Sequence, residues 1–189
     1  MAIVAADIKK YLTGASSDGG TQSDPDASLG GFRSSTVITD DSDNNIFDDV
    51  SGAEASAGDT EYRCICLKNE HDTLELQNAK VYMADSDIGS GNTLSFAVEV
   101  PAAGSETNGS AQTAVANEAT APTVNSGNVS DWSTVTTFAG GVALNINAHD
   151  ANLGVDEIVY VWIKRVIGPG AAAASGVNFT IRIEGDTAA

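Results

Sequence analysis

The chain has 189 residues, enough for one substantial core or two small domains, and a single folded unit is the better expectation. Lysine and arginine number 9 against 26 acidic residues, a formal net charge of -17. That balance argues against direct nucleic-acid binding, which needs clustered basic side chains, and here the densest basic spots are the pairs Lys9-Lys10 and Lys164-Arg165.

No apolar run approaches the roughly 18 residues of a membrane span, so no membrane partner is expected. The opening MAIVAADIKKYL lacks a basic stretch followed by a long apolar one; no secretory signal is expected, and synthesis is assigned to the cytoplasm.

In chain order, a strand is expected at Asp7 to Leu12. Gly14 to Gly31 follows, almost without apolar residues and rich in turn formers. A loop of that length reads as an extended arm that orders against other subunits, or as a flexible surface loop. Within and after it, Leu29 to Phe32 are candidate arm contacts. Next comes the acidic turn TDDSDNNIFDD at 39 to 49, in which Ile46, Phe47 and Val50 just beyond form a small apolar knot. The knot is either an anchor for a partner or a cap on the domain's own core.

From Thr60 onward the signals are β. Strands are expected at Glu61 to Lys68, Thr73 to Met83, Leu94 to Val100, Ser133 to Phe138, Val142 to Asn147, Glu157 to Ile167 and Asn178 to Glu184. The first carries Tyr62, Cys64 and Cys66 on one face and Arg63, Ile65 and Leu67 on the other. Both faces are largely apolar, so the strand needs cover on each side. The strand at 157 to 167 is likewise two-sided, with Trp162 at its centre, and reads as a central or an interface strand. Phe179, Ile181 and Ile183 alternate with Thr180, Arg182 and Glu184. Pro101 to Asp131 is a long polar excursion suited to an exposed loop.

The fold class read from these signals is all-β: an antiparallel β-sandwich or jelly roll with an extended N-terminal arm and long loops. Residues 1–58 hold the first strand, the arm and the acidic loop; residues 59–189 hold the sandwich.

Signals for chemistry are few. His71 and His149 lie in turns beside Asp72 and Asp150, and neighbours in the chain rarely form a working acid–base pair. No phosphate-cradling glycine motif is present. Cys64 and Cys66 have no second cysteine or histidine pair nearby and read as small buried apolar residues. In the acidic turn Asp41, Asp43 and Asn45 match the first ligands of a calcium loop, but Ile46 and Gly52 stand where glycine and glutamate are required. No catalytic residue, metal or cofactor is assigned. Trp132, after the polar excursion, is a candidate for ligand stacking.

Four stretches carry a resemblance: DPDASLGG at 24 to 31, NNIFDDVSGAEASAGDTEYRCICLKN at 44 to 69, AQTAVANEATAPT at 111 to 123, and VYVWIKRVIGPGAAAASGVNFTIRIEGDT at 159 to 187. Together they resemble small virion structural proteins of tailed bacteriophages. The resemblance implies a particle component without enzymatic activity, most simply a decoration or cement protein on the head. It implies the major capsid protein as partner, a homotrimer as assembly, and Leu29, Phe32, Ile46, Phe47, Val50 and Trp162 as candidate capsid or subunit contacts. The competing reading is a tail-associated receptor- or carbohydrate-binding module, in which Trp132 would be exposed.

Overall fold

The computed structural model describes residues 2–101, 107, 109–125, 127–146, 149–175 and 178–187, with the backbone alone for 110–112. The described residues form nine strands and one short helix: β1 Ile8–Ala15, β2 Gly30–Val37, α1 Gly52–Ala57, β3 Asp59–Asn69, β4 Leu76–Asp87, β5 Asn92–Glu99, β6 Ser110–Ala114, β7 Val142–Ala143, β8 Ile158–Ile167 and β9 Asn178–Thr187. A six-stranded sheet in the order β5-β8-β3-β1-β2-β6 packs against a three-stranded sheet in the order β7-β4-β9, and all the pairings between strands are antiparallel. The expected antiparallel two-layer β fold is the fold observed. Among the described residues no helix is long and apolar enough to cross a membrane.

The two-sided strands sit where their composition demands. β3 and β8 are neighbours at the centre of the large sheet, paired from Asp59–Ile167 to Lys68–Ile158. Ile65, Leu67, Val159, Val161 and Ile163 face the small sheet, where they meet Val81, Met83 and half-buried Phe179, Ile181 and Ile183. The opposite face presents Cys64, Cys66, Tyr160 and Trp162, covered by Val115, Val124, Val129 and Trp132. The polar excursion therefore contributes a third layer as well as an exposed loop.

Three expectations change. Residues 14–31 do not project as an arm: Asp18 holds Arg33 through two 3.0 Å hydrogen bonds. Ser28, buried, accepts from the Thr13 amide at 2.9 Å and donates to the Cys64 carbonyl at 2.6 Å. Polar side chains satisfying buried backbone groups fix this segment, a source of order that apolar content does not reveal. The stretch Ser133 to Phe138 is irregular, joined to β5 by the isolated Ser133–Phe96 bridge. Of the strand expected at Val142 to Asn147 only Val142–Ala143 pairs, and Asn147 lies outside the described residues.

Candidate functional site

The antiparallel register of β3 and β8 sets Glu61 opposite Arg165 and Arg63 opposite Ile163, on the face toward the small sheet. Arg63, Arg165 and Glu61 are all buried. Two guanidiniums cannot stay in such a place without anions, because an unpaired buried charge costs several kcal/mol.

Arg63 reaches Asp26 at 2.7 Å and Glu118 at 2.6 Å, both partly exposed. Arg165 donates to Glu61, and also to the Asp48 carbonyl at 2.6 Å and carboxylate at 2.9 Å. Burial pushes the Glu61 carboxyl above its ordinary range and Arg165 pulls the other way; the Arg165 guanidinium is held charged by its two carboxylates.

The Phe47 ring lies beneath both cations, its centroid 4.6 Å from the Arg165 guanidinium carbon and 5.3 Å from that of Arg63. It also tilts against Phe179 at 6.2 Å. The acidic loop is thereby pinned at Phe47 and Asp48, and the rest of it stands over an opening between the sheets. That cleft has a cavity volume of about 770 Å³ and lies between residues 40–47 on one side and 178–182 on the other, with Ile65 and Leu94 in its lining.

Several site expectations are corrected by this geometry. Phe47 belongs to the main core, Val50 packs with Ala55 and Ile167, and Trp162 is fully buried, so none of the three offers apolar area to a partner. Phe47 and Trp162 are drawn inward because the chain itself supplies the cover: the arginine pair for Phe47, and Glu99 with Val115, Val124 and Val129 for Trp162. Leu29, Phe32 and Ile46 are half-buried and keep part of their surface in solvent. Trp132 is half-buried rather than free, tilted against Tyr62 at 5.8 Å with Lys164 above it at 5.7 Å.

His71 accepts from the Thr73 and Leu74 amides, each at 3.1 Å, and so closes the turn before β4. Cys64 and Cys66 are free, and burial pushes both thiols upward, away from the reactive thiolate. Potential metal-binding side chains converge, among the described residues, at Glu54, Asp59 and Glu61 and not in the turn at 39–49. Each is already engaged: Glu54 caps α1 through the Ser51 amide, Asp59 accepts from Thr60, and Glu61 holds Arg165.

The fold and this site define a two-layer antiparallel β protein with a buried ionic cluster and an acid-rimmed cleft between its sheets. Compared with known proteins, the chain matches no family model, no curated protein and no solved structure.

Proposed function

We propose that this chain is a structural protein of a tailed-bacteriophage particle, a decoration protein that binds the major capsid protein on the outside of the head. In this reading it is a non-catalytic homotrimer that needs no cofactor. One observation supports it: the four stretches that resemble phage virion proteins, far apart in sequence, form one contiguous unit. The stretch at 44 to 69 contains β3, and 159 to 187 contains all but the first residue of its partner β8. Residues 24–31 and 111–123 meet each other at Gly30–Ala114, and both dock on β3, where the Cys64 amide donates to Ser28 and that of Tyr62 to Glu118. Arg63, from the second stretch, binds Asp26 of the first and Glu118 of the third.

A decoration protein works by bridging. It buries surface across joints between capsomers, so that opening the shell must break those contacts too, and symmetric repetition multiplies a modest interface over the particle. With Phe47, Val50 and Trp162 committed inside the monomer, the candidate contacts that keep surface in solvent are Leu29, Phe32 and Ile46, beside open strand edges.

The test is to produce shells from the major capsid protein encoded in the same genome and add the purified chain. Saturable co-sedimentation and a higher shell disruption temperature are the expected results. No binding to shells, or immunogold label confined to tails of purified virions, overturns the head assignment.

A further inference from the structure

We propose that the open edge of β9 and the cleft beside it form a docking site for an extended segment of a partner polypeptide that carries both apolar and basic residues. The inference does not depend on the virion reading.

β9 lies at the border of the small sheet and pairs with β4 alone. It is ten residues long, and among the described residues its outer side makes no backbone hydrogen bond. In an antiparallel strand alternate residues turn N–H and C=O away from the partner, so this edge offers a row of unpaired donors and acceptors. A cleft against one face of a strand is lined by every second residue. Here the five consecutive residues Asn178 to Arg182 line it, which places the cleft along the strand's edge. The opposite wall is the loop at 40–47, and Ile65 and Leu94 of the large sheet add apolar lining.

Charge selects the occupant. Asp41 and Asp43 on the rim, with Asp49, join no ion pair among the described residues. The basic groups that line the same cleft are already matched: Lys10 with Asp40, Arg165 with Glu61 and Asp48, Arg182 with Glu184. An extended segment seated beside β9 would meet the apolar lining, Ile46, Phe179 and Ile181, and the free carboxylates of the rim. Apolar residues suit the lining and lysine or arginine the rim.

The test uses a fluorescein-labelled peptide of about nine residues alternating Lys with Val and Ile, followed by anisotropy on the full chain. Saturable binding is expected, lost when Glu replaces every Lys. It should weaken about fivefold or more when alternate peptide nitrogens are methylated, or when Asp41→Asn, Asp43→Asn and Asp49→Asn are combined. The three aspartates are exposed, so the variant's melting temperature should not move; if it falls, the peptide series on the unaltered protein decides. Absence of saturable binding, equal binding of the Glu peptide, or indifference to methylation overturns the proposal. So does self-association that the Lys peptide displaces, which would give the edge to a second copy.

Discussion

The indole nitrogen of Trp162 donates to a carboxylate oxygen of Glu99 at 2.7 Å, and both residues are fully shielded from solvent. The other carboxyl oxygen accepts from the Thr113 amide at 3.1 Å, so one buried side chain joins β8, β5 and β6. Removing one partner of a buried hydrogen bond leaves the other unsatisfied at about 1–3 kcal/mol, and that is the expected cost of Trp162→Phe. Trp162→Ala adds a cavity and should cost about 3–5 kcal/mol. Urea unfolding of both variants separates the parts; a Phe variant as stable as the parent would show that the hydrogen bond contributes nothing.

Glu61→Gln should be far more damaging than Asp48→Asn. Both partner Arg165, but Glu61 is buried with it while the Asp48 side chain is about half in water. Removing the buried partner leaves a guanidinium poorly compensated, at about 3 kcal/mol or more, whereas a solvent-screened partner is worth under about 1 kcal/mol. For a chain of this size the first loss lowers the melting temperature by roughly 6–12 °C. Comparable shifts in the two variants would contradict the asymmetry.

Tyr11 gives the pH dependence. Burial and the 2.5 Å hydrogen bond its hydroxyl donates to Glu70 push its phenol up to about 12 from an ordinary value of 10.0. The folded state therefore holds this proton more tightly than the unfolded chain. The stabilisation is present in full below pH 10 and is lost as pH rises toward 12. An ultraviolet difference titration against Tyr11→Phe isolates the group. Glu70→Gln should bring its midpoint down; an unmoved midpoint would remove Glu70 as a cause.

Gly30 and Gly31 are adjacent, both with positive φ, yet should respond differently to alanine. At Gly30 a Cβ would lie 2.2 Å from the Thr113 carbonyl oxygen and 2.8 Å from the Trp162 ring; at Gly31 it would meet nothing within 4 Å. Gly31→Ala carries only the left-handed backbone cost of about 1 kcal/mol, and Gly30→Ala adds overpacking to reach about 3 kcal/mol. Equal thermal shifts would mean that the β2–β6 approach is looser than it stands here.

What could be read from the sequence was what lies within single strands. The two-sided apolar composition of β3 and β8 correctly demanded cover on both faces, and Phe179, Ile181 and Ile183 announced the inner face of β9. Elements held by polar groups were not visible: β2 and β6 pair through serine-, threonine- and glycine-rich segments with no apolar period. In β4 a left-handed Asn78, φ 52°, sits at a bulge that shifts the phase, so that Ala79 and not Asn78 joins Leu76 in the core. The ionic cluster was hidden for another reason. Arg63 and Arg165 find acids 37, 55, 104 and 117 residues away, and no local pattern reports such partners. One signal was available: Ser51 and Glu54 form a capping box that marks the start of α1.

Phe47→Ser tests where the acidic loop spends its apolar residue. A partner anchor would leave the free protein unchanged, because the contact would exist only in the complex. The ring is instead enclosed by the guanidiniums of Arg63 and Arg165 and by Phe179, so the substitution should open a cavity and bury a hydroxyl beneath two cations. The expected cost is about 3–5 kcal/mol, a melting temperature lower by roughly 10 °C. Ile46→Ser, at a half-buried neighbour, should cost clearly less. Because Phe47 is joined to Asp48, its loss should also loosen the Asp48–Arg165 pair, so the costs of Phe47→Ser and Asp48→Asn should sum to more than that of the double variant. Strict additivity of the two would mean that the ring and the ion pair hold the loop independently.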